Sequence, residues 1–206
     1  MKNSFSIFSK YIFLIALFGT LPFLIYSCSC SKTDKQDTKV PSGIMQKADN
    51  FIAGRTGTEF FKRYISPDLK KTKKIESGYF MAYKFKMPGK PYVDNEIRFT
   101  LDSLGNVLKD KEVVGIPDCG AGLGACDFSI TEEKAKQIAA ENKLPKGIKE
   151  WSAKFTWSTV YNKYVWEIIS TEKETPAGDL SKSSGDRMII DPNTGEVLAS
   201  KIWKIH

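Results

Sequence analysis

Apolar and polar residues alternate over long parts of the chain, and their spacing predicts an α+β fold. Residues 79–87 and 97–101 have the two-residue period of strands, and a turn after the second run leads into a further predicted strand at 107–114. Before them, apolar residues at helical spacing predict a helix capped by Ser42 and a second short helix around Phe60. We therefore expect an antiparallel meander covered by helix in this half of the chain.

The same order of elements recurs after residue 128, where an amphipathic helix comes first. Either Ser129 or Thr131 can cap the start of this helix, and the acidic pair that follows suits its positive end. A narrow apolar stripe allows the helix to lie close to a sheet. The stripe consists of Ala135, Ile138 and Ala139.

Four strand-like runs follow this helix. They cover residues 151–157, 164–168, 188–190 and 197–205, and a polar loop is expected over residues 172–186. A turn that begins at Asp191 and ends at Gly195 precedes the last run, and a similar turn from Asp102 to Gly105 stands about ninety residues upstream. The repetition suggests two tandem units, each a helix packed on a small antiparallel sheet.

Residues 1–27 have the features of an export signal. Lys2 and Lys10 flank a polar start, and the apolar stretch that follows is too short and too interrupted to span a bilayer comfortably. The segment runs into LIYSC, which resembles the lipobox of bacterial lipoproteins except at Tyr26, where a small residue is usual. The resemblance implies cleavage before Cys28 and acylation of that cysteine. The alternatives are an ordinary cleaved signal and an uncleaved anchor.

Residues 28–42 are polar and lack periodicity, as is typical of a flexible tether. Cys30 is interpreted as a spare thiol, with an intermolecular disulfide as the alternative. The sequence thus predicts an exported protein of the bacterial cell envelope. It would be held on a membrane by its lipid and would face the periplasm or the cell surface.

A loop rich in cysteine and glycine, residues 118–127, divides the rest into a first unit over 43–117 and a second over 128–206. Cys119 and Cys126 close a small loop, which in an exported protein favours a disulfide bond. A metal pair is the less favoured reading, because no other cysteine cluster exists to complete the site. The glycines do not match the nucleotide-binding pattern.

Charge argues against a nucleic-acid partner. The net charge is +7, and it would be +5 in a mature chain without Lys2 and Lys10, which is mild. The one dense basic run, residues 70–74, lacks the interleaved aromatic residues of a nucleic-acid surface. We interpret this run as a solvated turn or strand entry, with contact to acidic lipid or polymer as the alternative.

The inventory of reactive side chains points away from catalysis. The single histidine, His206, disfavours Ser-His-Asp, Cys-His and catalytic zinc sites. Asp102 and Asp191 stand at turns, where aspartate stabilises the local backbone. Glu132 and Glu133 are adjacent on a helix and point to different faces. We therefore expect no catalytic residue, no metal site and no cofactor.

All four tryptophans lie in the second unit, and most of them are expected in the core. One helix covers only one face of a four-stranded sheet, so the other face is open to a partner. Trp151, Trp157 and Trp166 are the candidate partner-binding residues. The open edge of such a sheet could also accept an extended peptide as an added strand.

Three segments carry a family resemblance: ITEEKA from residue 130, YVWEI from residue 164 and IDPNTGEVL from residue 190. Occurring in this order, they resemble a PepSY-type domain over about residues 128–205, and residues 43–114 match more loosely. The resemblance implies a binding module without catalytic residues that binds or restrains a peptidase, its propeptide or an extended peptide. The alternatives are a structural or assembly lipoprotein of the envelope and a carboxylate-based hydrolase.

Overall fold

The computed structural model describes residues 40–121, 124–175 and 182–205. The predicted export signal, Cys28, Cys30 and most of the tether lie outside the described residues. The described helices are α1 (Ser42–Thr56), α2 (Thr58–Tyr64) and α3 (Glu132–Glu141), with a short 3-10 turn at Cys119–Ala121. The strands are β1 (Ile65–Pro67), β2 (Lys73–Ile75), β3 (Gly78–Met87), β4 (Lys90–Leu101), β5 (Ser152–Ser158), β6 (Lys163–Thr175), β7 (Lys182–Ile190) and β8 (Val197–Ile205). Within the described residues, no helix has the length and apolar character needed to cross a bilayer.

Strand β3 is the centre of the first sheet. It pairs antiparallel with β4 along one edge, and the short strands β1 and β2 follow each other along the other edge. Its core face carries large apolar side chains that are 0% exposed: Met81, Tyr83 and Phe85. Helix α1 covers this face, where Phe51 packs on Phe99 of β4 at a centroid distance of 5.1 Å.

The predicted helices and the strands β3 and β4 are confirmed, but two details of the first unit are wrong. Pro41, not Ser42, occupies the N-cap of α1, and it makes no side-chain capping hydrogen bond. Residues 107–114 form no strand and touch β4 only through two isolated bridges, at Val107 and Val114. The charged run between those bridges has no apolar alternation to bury, so the chain leaves the sheet there.

The second sheet is the predicted meander of four antiparallel strands, in the order β5-β6-β7-β8. Helix α3 packs on one of its faces with the predicted stripe buried: Ala135, Ile138 and Ala139. Of the two predicted caps, Thr131 is the N-cap, and its hydroxyl accepts a hydrogen bond from the amide of Lys134 at 3.3 Å.

The polar loop predicted over residues 172–186 is wrong in its extent. Strand β6 continues to Thr175 and β7 begins at Lys182, with Glu174 paired to Ser183. Backbone pairing of neighbouring strands does not require apolar side chains, so a hairpin continues into polar sequence once its register is set. Hydrophobicity therefore underestimated the length of both strands.

The two helix-covered sheets share one hydrophobic core. Phe85 of β3 packs on Tyr164 of β6 at 5.5 Å between ring centroids, and Tyr92 of β4 packs on Phe155 of β5 at 5.6 Å. The Tyr164 hydroxyl donates to the carbonyl of Gly115 at 2.9 Å, which ties the second sheet to the end of the first unit. The fold is therefore α+β with two sheets, as predicted, and the described residues from 40 onward belong to one compact unit.

Candidate functional site

The turn between β7 and β8 is built around Asp191. One carboxylate oxygen, Oδ1, accepts hydrogen bonds from the amides of Asn193 at 2.8 Å and Thr194 at 3.1 Å. Gly195 follows with a φ of 78°, a left-handed conformation that glycine adopts without the penalty of a Cβ atom. The carboxylate therefore serves the local backbone, as the sequence predicts for an aspartate at a turn.

The turn after β4 repeats this construction. Oδ1 of Asp102 accepts from the amides of Leu104 and Asn106, each at 2.8 Å, and Gly105 has a φ of 85°. Each glycine also lies against the helix of its own unit. A Cβ on Gly105 would meet α1, and one on Gly195 would meet the side chain of Ile138 on α3. The repeated turn is thus a repeated contact between hairpin and helix.

Asn193 joins the β7–β8 turn to the chain that enters α3. Its Oδ1 accepts from the amide of Phe128 at 2.7 Å, and its Nδ2 donates to the carbonyl of Ala125 at 3.0 Å. The Ser129 hydroxyl donates to the backbone carbonyl of Asn193 at 3.1 Å. Asn193 is therefore a structural residue of the motif, a role that sequence reasoning missed because its partners are more than sixty residues away.

The disulfide loop stands beside this turn. Cys119 and Cys126 are bonded to each other, and Cys126 is 8% exposed. The loop, the β7–β8 turn and the β5–β6 turn surround a cleft of about 510 Å³. Asp118, Asp127 and Lys163 are among the residues that line it. Within the described ranges, no group of three or more histidine, cysteine, aspartate or glutamate side chains could hold a metal ion.

The buried end of this cleft contains an ion pair that the sequence did not indicate. Nζ of Lys163 lies 2.6 Å from Oδ2 of Asp191, whose side chain is 7% exposed. Burial is the largest influence on Asp191 and raises its pKa. The hydrogen bonds from Lys163 and from the amides of Asn193 and Thr194 outweigh it, so the pKa lies below the usual 3.8. Both oxygens are occupied, which makes Asp191 unsuited to act as a general base.

We expect Asp191→Asn to lower the free energy of unfolding by about 1–2 kcal/mol at pH 6, since half-exposed Lys163 is screened by water. A depressed pKa contributes stability that is present above the unfolded-state pKa and is lost as the pH falls through the folded-state value. We therefore expect the difference in the free energy of unfolding between wild type and variant to be smaller at pH 2.5 than at pH 6, as measured by urea denaturation. Asp110→Asn, at an exposed position, is the matched control. A difference that does not change with pH would contradict this role of the ion pair.

The three tryptophans proposed as a binding surface do not share one. Trp166 is 1% exposed, and its Nε1 donates to the carbonyl of Ile130 at 2.7 Å beneath the chain that leads into α3. Trp157 is half-buried against Tyr164 at 5.2 Å, and Nε1 of Trp151 donates to the carbonyl of Pro145. The prediction is wrong for Trp166, because the face that alternation assigns to all three is the one that α3 covers.

The opposite face of the β5–β8 sheet is the open one, and we call it the outer face. Strand alternation places on it Lys154, Glu167, Arg187, Ile189 and Lys201, in register across the four strands. Arg187 donates to Oε1 of Glu167 at 3.1 Å. A groove of about 230 Å³ crosses this face, with Ile189 and Val165 among its lining residues. Val165 and Ile189 are themselves buried, at 1% and 8% exposed, so the part of this face that solvent reaches is mainly polar and charged.

Comparison with known proteins agrees with this architecture. Residues 129–201 match the PepSY family model, described as "Peptidase propeptide and YPEB domain". Neither the curated proteins nor the solved structures give a match to the chain. The matched range contains α3, all of β5 to β7, and β8 as far as Lys201. The chain therefore carries a PepSY-type domain over residues 129–201.

Proposed function

We propose that this chain is an exported, lipid-anchored protein of the bacterial envelope whose PepSY-type domain binds a polypeptide without catalysing a reaction. The partner would be a peptidase, its propeptide or an extended peptide, and binding would restrain the peptidase. The observation that carries this proposal is the family match, since its description names peptidase propeptides. Propeptide-like domains act by binding, so this module needs no catalytic group of its own.

The chemistry of the site supports binding over hydrolysis. The most buried carboxylate of the hairpin, Asp191, is neutralised by Lys163 and held by two backbone amides. By contrast, the outer face of the sheet carries the charged side chains of Arg187 and Lys201 and, at the end of β8, the exposed side chain of Ile205, a mixture found at sites of protein association. Binding at such a face requires no conformational change in the domain.

Affinity capture tests the proposed function. The full-length chain, purified from its membrane after mild crosslinking in an envelope extract, should enrich a defined polypeptide, with a peptidase or propeptide as the expected class. A chain in which residues 129–201 are deleted is the control and should lose that polypeptide. Repeated capture of no polypeptide by the intact chain would overturn the proposal.

The lipid anchor is tested separately at Cys28. We expect the wild-type chain to incorporate radioactive palmitate and to partition with membranes, because acyl chains contribute about 0.8 kcal/mol per buried methylene. Cys28→Ala should abolish both, whereas Cys30→Ala, two residues away, should leave both unchanged. Incorporation that persists in Cys28→Ala, or a wild-type chain that never incorporates palmitate, would contradict the proposed anchor.

A further inference from the structure

We infer that β8 and the adjoining outer face bind an extended polypeptide segment with acidic side chains, which adds to the sheet as a fifth strand. This inference rests on the proposed function and specifies the chemistry of the partner. Three features of the described residues carry it: an unpaired strand edge, exposed apolar side chains on that strand, and a lysine on it that stands opposite an arginine and has no acidic partner.

The free edge of β8 has few of the features that protect edge strands. The strand is nine residues long and contains no proline, and β7 is its one neighbour in the sheet. Native proteins usually blunt such edges with short strands, prolines, charged side chains or covering loops, and of these β8 has the charged side chains, Lys201 and Lys204. Within the described residues, no strand pairs with the second edge of β8, so that edge can accept another strand beyond Leu198, whose carbonyl already accepts from the Tyr161 hydroxyl at 3.2 Å.

Apolar side chains project from this edge strand on both sides of the sheet. Ile202 is 72% exposed and Ile205 is 56% exposed, and register places them on opposite faces. Trp203 lies between them and anchors the strand, because its Nε1 donates to the carbonyl of Ser170 at 3.1 Å. An added strand would cover apolar area on both faces at once, as β-augmentation does.

The charged side chains of β8 indicate that the bound segment is acidic. Every charged side chain of β8 is a lysine, and Lys201 stands directly opposite Arg187 of β7 in the register. Like charges directly opposite each other destabilise a strand pair. Glu167 pairs with Arg187, but within the described residues no carboxylate lies within salt-bridge distance of Lys201. A carboxylate on an added strand would give Lys201 the acidic partner that it lacks.

Arg187 offers a second reason to place an anion here. Its Nε is buried and has no hydrogen-bond partner among the described residues, although its NH1 reaches Glu167. A buried donor without a partner is costly, and a shift of the Arg187 side chain toward a carboxylate in the groove would relieve that cost. A second copy of this chain does not fit this requirement, since pairing β8 with another β8 would bring lysines together without any acid.

Fluorescence anisotropy with a labelled peptide tests this inference on the full-length chain in detergent micelles. The probe is a nine-residue peptide in which glutamate alternates with threonine and valine, and its matched partner has lysine in place of glutamate. We expect the acidic probe to bind at least tenfold more tightly than the lysine peptide and to weaken as salt is added. Equal binding of the two peptides would overturn the inference.

Two further arms separate a specific site from general charge attraction. Lys201→Glu should lower the affinity for the acidic probe at least tenfold. Lys109→Glu, the same charge change at an exposed loop position, should change that affinity less than twofold. A probe with every second amide N-methylated should also bind at least tenfold more weakly, because it cannot form the hydrogen bonds of a strand paired with β8. Equal losses in the two variants, or full binding of the methylated probe, would overturn strand addition at β8.

The same variants distinguish this inference from the proposed function. If Lys201→Glu captures the crosslinked polypeptide as well as the wild type does, the partner binds elsewhere, and the inference alone fails. If neither captures any polypeptide, the proposed function fails, and the peptide titration still decides whether β8 accepts an acidic strand.

Discussion

Trp166→Ala should lower the free energy of unfolding by about 3–5 kcal/mol, the largest effect that we expect from a single side chain. The ring is 1% exposed and packs on Phe155 at 5.6 Å and on Tyr92, which comes from the first sheet, at 5.1 Å. Its removal leaves a cavity at the junction of both sheets. It also leaves the carbonyl of Ile130 without its side-chain donor, which adds to the cost.

Urea denaturation followed by circular dichroism and by tryptophan fluorescence measures this loss. Because the two sheets share a core, both signals should follow one transition, and the variant should shift the whole of it. Trp151→Ala is the control, and we expect it to lower the free energy of unfolding by about 1–2 kcal/mol, since that ring is partly exposed to water. Two separate transitions, with only one displaced by Trp166→Ala, would contradict a shared core.

Gly185→Ala is the second large effect that we expect, at about 2–4 kcal/mol of destabilisation. A Cβ atom at Gly185 would stand 2.0 Å from the carbonyl oxygen of Ser170 and 3.0 Å from the amide nitrogen of Glu172. Both are backbone atoms of β6, so no side-chain rotation relieves the overlap. The strands β6 and β7 would have to separate beside their bulge, and β8 would lose its alignment with them.

Gly54→Ala provides a control of opposite sign. Gly54 lies inside α1, and a Cβ there would meet nothing within 4 Å. Alanine is favoured over glycine in a helix interior, so the free energy of unfolding of this variant should rise by about 0.5–1 kcal/mol. Thermal and urea denaturation of both variants measure the two changes. A Gly185→Ala variant as stable as the wild type would show that β6 yields locally, and the expected contact with Ser170 would then be wrong.

Local signals in the sequence predicted much of the second unit. Thr131 caps α3 because its hydroxyl needs only the amide three residues later. Asp191 and Gly195 define a turn that is closed by local hydrogen bonds, from the amides of Asn193 and Thr194 to the Asp191 carboxylate and from the amide of Gly195 to the Asp191 carbonyl. The same reasoning failed at residues 107–114, where alternation was weak and only the edge of β4 decides which residues pair.

The candidate binding site was less accessible to sequence reasoning than the fold. Alternation placed Trp151, Trp157 and Trp166 on one face of the sheet, but it does not say which face the helix covers. The structure sets α3 over that face and leaves the opposite face, with Arg187 and Lys201, in contact with solvent. The basic pair depends on the register between β7 and β8, which no single segment encodes.

Sequence patterns were sufficient for the parts of this protein that are held by neighbours along the chain. These are the capped helix α3, the alternating faces of the strands and the paired turns at Asp102 and Asp191. The shared core of the two sheets, the ion pair between Lys163 and Asp191 and the open edge of β8 became visible only in the folded chain. Those outcomes depend on contacts between distant segments, and the energy of such contacts exists only once the chain has folded.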